Sequence, residues 1–419
     1  MSDICSKNHD LAERLLSRFL RYAKTYSESS SQKADSGIMP STPQQKEMAS
    51  LLNAELCGLG LKNVTTTADC YTYAFLEASA GREKDEPFCL IAHIDTSEET
   101  SGKNVQPVVH KNYDGSVIQL KNSVVHDPAS DKELAAAAKQ RETIITSDGT
   151  TLLGADDKAG VAEIVTAVEY LVKNPQIPHG AIEILFSPDE ETGHGMDRVP
   201  LELLKSKYAY TVDGGTMGEL ETECFNAYKS TVSFTGMPKH TGTARPDMVN
   251  AVTMACTFLS YLPKNEVPEA TDGRQGFYAP MSIEGSMEDA KVVLFLRDFS
   301  QEGMEERKRT VEMAASLVER SCGGHVSVEH TLQYKNMHDV MQKNPAVVER
   351  LVKAYRNCGM EPVFPPIRGG TDGSRLSEMG IPTPNIFTGG HNFHSRYEWA
   401  SLEQMVKATE VLVELASNK

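Results

Sequence analysis

Short apolar runs in this chain repeatedly stop at a histidine or a carboxylate, and this constrains the fold more than any other feature. Phe88-Cys89-Leu90-Ile91-Ala92 stops at His93, with Asp95 two residues on. Ile182-Glu183-Ile184-Leu185-Phe186 leads to Asp189-Glu190-Glu191, and Tyr208-Ala209-Tyr210-Thr211-Val212 stops at Asp213. Runs this short and this apolar, bounded by turn formers, read as buried strands. Gly154-Ala155-Asp156-Asp157-Lys158 instead opens a helix, with Val161, Ile164, Val165, Val168 and Leu171 on one face. His394 follows the strand around Asn385-Ile386-Phe387. Alternating strands and helices predict an α/β sheet with helices on both faces. A strand that ends in a charged residue delivers it to one rim of such a sheet, and several on one rim can make a metal site.

The pattern changes after about residue 225. Thr231–Phe234 alternates as a strand, and a helix is expected from about Asp247 to Leu262. Then come an apolar strand at Lys291–Phe299, a helix at about Glu305–Arg320 and an alternating strand at His325–Tyr334. This order describes a compact α+β domain. The α/β style returns with a helix from about Asn344 to Asn357 and closes with one from about Ser401 to Ala416. The expected organisation is an α/β domain in two parts, 1–225 and 336–419, interrupted by an inserted α+β domain at 226–335. In the first part, residues 9 to about 27 read as a helix. Thr42, Pro43 and Gln45 read as the capped start of another, with Gln45 closing a capping box. Residues 97–150 are polar and read as a long excursion with short strands.

A formal net charge of −16 over 419 residues makes nucleic acid and anionic membrane poor partners. The start, Met1-Ser2-Asp3, is not a basic leader, and no apolar run is long enough to span a bilayer. The eight cysteines are scattered without a Cys-x-x-Cys pair, which suits buried reduced thiols in a cytosolic protein.

Taken singly, each charged segment has an ordinary explanation. Asp156 and Asp157 could cap a helix, Glu190 and Glu191 could be a solvated turn, Asp213 could start one, and His394 could be a core histidine. That all should be accidental is harder to accept. Asp95 could orient His93 and raise its basicity. Of two adjacent carboxylates at a strand end, one can ligate metal while the other serves as a base. Asp156, Glu191 and Asp213 with one hydroxide balance two divalent cations, and His93 and His394 complete the coordination without charge. Nitrogen and oxygen donors without thiolate suit zinc, with cobalt or manganese as alternatives.

These segments, with Ser101-Gly102-Lys103-Asn104-Val105, Ile367-Arg368-Gly369-Gly370-Thr371-Asp372-Gly373 and Pro384-Asn385-Ile386-Phe387-Thr388-Gly389-Gly390, closely resemble the co-catalytic dizinc exopeptidases. That family includes carboxypeptidase G and aminoacylases. The resemblance covers nearly the whole chain and is strongest to the tripeptide aminopeptidase branch. It implies a catalytic domain of mixed sheet with helices on both faces, interrupted by a lid domain. It further implies that Asp156 bridges two Zn2+ ions, that His93 and Asp213 ligate one and Glu191 and His394 the other, that Asp95 orients His93, and that Glu190 is the general base. His240 matches the family's inserted-domain histidine, although Thr241 stands where proline is usual. Arg297 and Arg368 are candidate contacts for the substrate. The implied substrate is a short peptide, and the implied assembly is a homodimer through the lid. Carboxypeptidase or N-acyl-amino-acid deacylase activity on the same site is the alternative. Asp189, Glu98 and Glu99 are candidates to hold a substrate amine. His194 and His391 have no required role.

Overall fold

Alternation along three strands sorts the core of the catalytic sheet into two layers. Phe88, Leu90 and Ala92 enter one cluster with Ile182, Ile184, Phe186, Tyr210 and Val212, while Cys89, Ile91, Leu185 and Ala209 enter another. Successive strand residues face opposite ways. His93, Ser187 and Asp213 therefore end their strands on the face of the second, smaller cluster. The larger cluster is covered by the helices His9–Lys24, Gln45–Gly58, Ala155–Lys173, Pro345–Asn357 and Leu402–Ser417.

The computed structural model describes residues 9–418. Met1-Ser2-Asp3 and Cys5 lie outside them. The remaining seven cysteines are free thiols. Among the described residues, no helix is long and apolar enough to cross a membrane.

The main sheet has seven strands, in the order Lys62–Thr66, Thr72–Leu76, Ile182–Ser187, Phe88–His93, Ala209–Gly214, Asn385–Phe387, Leu220–Glu221. The four from Ile182–Ser187 to Asn385–Phe387 are parallel, and the outer strands pair antiparallel. From Phe88–His93 the chain goes first to the neighbour on one side and then to the neighbour on the other. In open α/β sheets such a switch point, at the carboxyl ends of the strands, is where ligands bind.

Two compact units emerge. The larger takes the described residues to Thr222, Asp339–Pro365 and those from Thr371 onward; the smaller takes Glu223–His338 and Pro366–Gly370. The short second segment of the smaller unit is tied in by a parallel bridge between Ile367 and Cys224. Arg368 thus groups with the smaller unit, outside the 226–335 span expected for the insertion.

The smaller unit is a four-stranded antiparallel sheet, ordered Phe277–Gly285, Asp289–Asp298, Asn226–Thr235, His325–Tyr334. The helices Ala251–Tyr261 and Gln301–Cys322 bury Met254, Phe258, Val311 and Val318 against Val232, Phe234, Val292 and Leu294. The edge strand Phe277–Gly285 is a correction to the expected order. It carries Pro280, shifts register between Pro280 and Ser282, and is exposed from Pro280 onward. Proline is tolerated at an edge, and Pro280 interrupts a run, Ala279-Pro280-Met281-Ser282-Ile283-Glu284, that otherwise alternates like a strand.

Two further differences concern local signals. The helix expected to start at Pro43 starts at Gln45, and the Thr42–Gln45 capping box does not form. Thr42 Oγ1 donates to the Glu28 carbonyl (2.6 Å), and Gln45 Nε2 donates to Asp189 Oδ1 (2.6 Å). Within the 97–150 excursion, Lys132–Gln140 is a helix capped by the Asp131 carboxylate, which accepts from Glu133 N and Leu134 N.

Candidate metal centre

Seven residues from five segments of the larger unit converge at the carboxyl rim of the parallel strands. Asp156 stands between the two histidines. Its Oδ1 is 2.9 Å from His93 Nε2, and its Oδ2 is 3.1 Å from His394 Nε2. Asp213 Oδ1 lies 3.6 Å from His93 Nε2, and Glu191 Oε2 lies 2.8 Å from His394 Nε2. Two donor triads result, His93–Asp156–Asp213 and Asp156–Glu191–His394, each with its ligand atoms within 4.8 Å of one another.

These residues fit a pair of divalent cations. The donors are imidazole nitrogens and carboxylate oxygens, Asp156 offers one oxygen to each triad, and Glu191 Oε1 is buried without a hydrogen-bond partner. The electrostatics agree. Burial would depress His93, yet Asp213, Asp156 and Asp95 hold it well above the ordinary imidazole range. Burial would likewise depress His394, which Asp156, Glu191 and Glu99 raise well above that range. Burial pushes Glu191 up to about 8 and Asp213 up to about 6. Burial favours the protonated form of Asp156 too, but its bonds to His394 and His93 prevail and hold it below the ordinary carboxylate range. The imidazoles thus stand in for cations, and carboxylates without enough positive charge retain protons.

Asp95 is fully buried; its backbone carbonyl lies 3.1 Å from His93 Nδ1, and its carboxylate Oδ1 lies 3.4 Å from the same nitrogen. The same carboxylate accepts Glu190 N at Oδ1 (3.1 Å) and Glu191 N at Oδ2 (3.2 Å). It therefore fixes the imidazole and the turn that carries both glutamates. That turn is held from its other side through Asp189, whose backbone is left-handed (φ 57°). The Asp189 carboxylate accepts Ser41 N (2.7 Å), Ser41 Oγ and Gln45 Nε2. Glu190 Oε2 sits 3.9 Å from His93 Nε2. Burial pushes its carboxyl well above the ordinary range; His93 opposes this, and Asp213, Asp372 and Glu191 reinforce it.

Several supporting residues are not individually assigned by the sequence reading. Glu398 is buried and accepts four backbone N–H groups: Leu153 (2.6 Å) and Gly154 (2.8 Å) at Oε2, and Ala155 (2.7 Å) and Asp156 (3.1 Å) at Oε1. It comes from the same hairpin as His394, between the paired strands Gly390–His391 and Trp399–Ser401. Asp157 Oδ2 accepts His93 N (3.1 Å), and Asp372 Oδ2 accepts Ser187 Oγ. Gly160 allows the helix to approach the Asp213 strand, since a Cβ there would lie 1.8 Å from the Val212 carbonyl oxygen. Of these, Asp157 and Asp372 carried a signal, through their places in the Gly154–Lys158 and Gly369–Gly373 motifs.

Other candidates are engaged elsewhere. Asp189 is committed to Ser41 and Gln45, and Glu98 accepts Ser31 N at 3.3 Å. His194 pairs with Asp197 (2.6 Å) and Asp35 (3.2 Å), and His391 stacks on Trp399 with centroids 4.0 Å apart. The other three belong to the smaller unit. His240 is exposed and accepts Gly242 N (3.2 Å). Arg297 is nearly buried, donates to the Leu296 carbonyl (3.0 Å) and lies over the rings of Phe295 and Tyr334. Arg368 donates to the carbonyls of Gly273 (2.9 Å), Gln275 (2.8 Å) and Thr271 (3.2 Å), and stacks over Phe225 and Phe277.

Paired donor triads beside a half-buried glutamate, on the carboxyl rim of parallel strands, define the class of a metal-dependent hydrolase. The signature of "Peptidase family M20/M25/M40" matches residues 146–418. Peptidase T of Listeria monocytogenes serotype 4a (strain HCC23) is 45% identical over 410 residues, covering 97% of this chain and 98% of that protein. The chain belongs to peptidase family M20/M25/M40. Two solved structures share its fold: aminopeptidase PepT from Bacillus cereus ATCC 10987 (TM-score 0.75, 23% identity, 97% of this chain and 98% of that one) and a tripeptidase from Staphylococcus aureus subsp. aureus Mu50 (TM-score 0.76, 20% identity, the same coverage).

Proposed function

We propose that this metallopeptidase is an aminopeptidase that removes the N-terminal residue of short peptides, tripeptides above all, in the cytoplasm. The observation that carries the reading is the pair of donor triads sharing Asp156 beside Glu190, in a chain 45% identical to a peptidase T over nearly its whole length. His93, Asp156 and Asp213 would hold one Zn2+ ion and Asp156, Glu191 and His394 the other, with Asp156 shared; Co2+ or Mn2+ would suit the same donors. When bound, the ion pair supplies Lewis acidity to water and to the scissile carbonyl. Glu190 Oε2 takes the proton of the attacking water and returns it to the leaving amine nitrogen, a role suited to a carboxyl whose proton affinity is raised by burial. Asp95 keeps His93 turned with Nε2 inward and holds the backbone of the base. His240, Arg297 and Arg368 remain candidate contacts to the peptide; for Arg368, that role requires exchanging loop carbonyls for a carboxylate.

The test compares a free tripeptide with its N-acetylated form. We expect the free peptide to be cleaved and the acetylated one to be refused. Preference for the acetylated peptide would select the deacylase or carboxypeptidase alternative. Prolonged chelation should abolish turnover and lower the melting temperature, and added Zn2+ should restore both. Turnover that survives complete metal removal would overturn the metallopeptidase mechanism.

The proposed assembly is a homodimer through the smaller unit. Its edge strand exposes Met281 and Ile283, and its long helix exposes Met313 and Leu317. An open edge beside exposed apolar side chains is suited to pairing with a second copy. Light scattering should give twice the monomer mass, and Ile283→Lys with Met313→Lys should halve it. A monomeric parent chain rejects this assembly.

A further inference from the structure

We propose that Glu99 is the positioning residue for His394, fixing its tautomer and so setting metal affinity at the Glu191–His394 position. The inference rests on the dimetal reading given above and extends it to a residue outside the ligand set.

A histidine ligates through a ring nitrogen that carries no proton, so its proton must reside on the other nitrogen. His394 turns Nε2 to Glu191 Oε2 and Asp156 Oδ2, at 2.8 and 3.1 Å. Its Nδ1 then points away from the metal position and meets Glu99 Oε2 at 2.9 Å. A carboxylate there holds the proton on Nδ1, leaves the Nε2 lone pair free and makes it more basic.

The arrangement repeats the one at the first histidine. His93 turns Nε2 to Asp156 and Nδ1 to Asp95, whose backbone carbonyl lies at 3.1 Å and carboxylate at 3.4 Å. Both partners come from one stretch of six residues, Asp95 to Thr100. Glu99 is itself steadied by Ser97, whose Oγ donates to its Oε2 and accepts from its backbone N (3.3 Å). Thr100 Oγ1 donates to the His394 carbonyl (3.0 Å), holding a residue whose backbone is left-handed (φ 59°). One loop therefore grips His394 at both ring and backbone while its first residue orients His93.

The contact with His394 uses Oε2 of Glu99, so a further role of Oε1 toward a substrate amine is compatible with it. An incidental surface ion pair would not explain why Thr100, the next residue, holds the same histidine. Exposure does limit the effect: the Glu99 side chain is 65% exposed, so water screens the pair. The expected loss of metal affinity is therefore about tenfold, the lower end for such partners.

The experiment is competitive Zn2+ titration of the full chain against a chromophoric chelator, with the Co2+ absorption spectrum as a second readout. The parent chain should bind two ions. Glu99→Ala should bind one with unchanged affinity and the other about tenfold more weakly, with a perturbed Co2+ spectrum for the weakened site only. Glu99→Gln, which keeps an acceptor for Nδ1–H but not the charge, should fall between them. Two ions bound by Glu99→Ala with parental affinities would overturn the assignment while leaving the dimetal reading intact. Fewer than two ions in the parent chain would overturn both.

Discussion

Glu190→Gln is expected to lower kcat by about 10²–10⁴-fold, leaving metal content and melting temperature at parental values. The substitution keeps the shape of the side chain and removes its ability to take a proton. Its backbone position does not depend on the side chain, because Asp95 holds the N–H groups of residues 190 and 191 and Ser41 and Gln45 hold Asp189 before them. None of these bonds involves the Glu190 carboxyl. The variant should therefore bind peptide and metal as before and fail at proton transfer. Turnover within a few fold of the parent would remove Glu190 from the role of base. Loss of metal along with activity would make it a ligand instead.

Glu398→Ala should damage the molecule in a different way. Four backbone N–H groups converge on this one buried carboxylate. Each buried donor left without a partner costs about 1–3 kcal/mol, so the variant should lose at least about 4 kcal/mol of unfolding free energy. The segment released is the one that presents Asp156, so both metal positions should weaken together. Urea denaturation and metal titration report the two effects separately. Glu398→Gln retains one carbonyl oxygen and should fall between parent and alanine. Parental stability and metal affinity in Glu398→Ala would mean that those N–H groups are satisfied without it.

The candidate ligands were legible in the sequence because their placement follows local rules. A short apolar run defines a strand, its end defines a rim, and His93 and Asp213 follow. Glu398 obeys no such rule. Its task is set by where the backbone of residues 153–156 arrives in space, and nothing beside it in the sequence records that. Thr42 and Gln45 show the reverse case. Their spacing satisfies a capping pattern, but buried Asp189 is a more demanding acceptor and takes the glutamine. The Phe277–Gly285 strand was hidden because Pro280 interrupts its alternating run, and proline argues against a strand. Arg368 had the right chemistry for a carboxylate contact, yet loop carbonyls and two aromatic rings are what it meets.

The larger unit is interrupted between Thr222 and Asp339, and this divides its candidate site residues into an early and a late group. During synthesis, His93, Asp156, Glu190, Glu191 and Asp213 all emerge before the interruption. His394 and Glu398 emerge after it, with the strand Asn385–Phe387 that joins the sheet beside Asp213. Until that strand docks, the earlier ligands form an incomplete set, and the backbone around Asp156 lacks its carboxylate support. The donor set is therefore complete only once these late-emerging residues have folded back onto the earlier part of the chain.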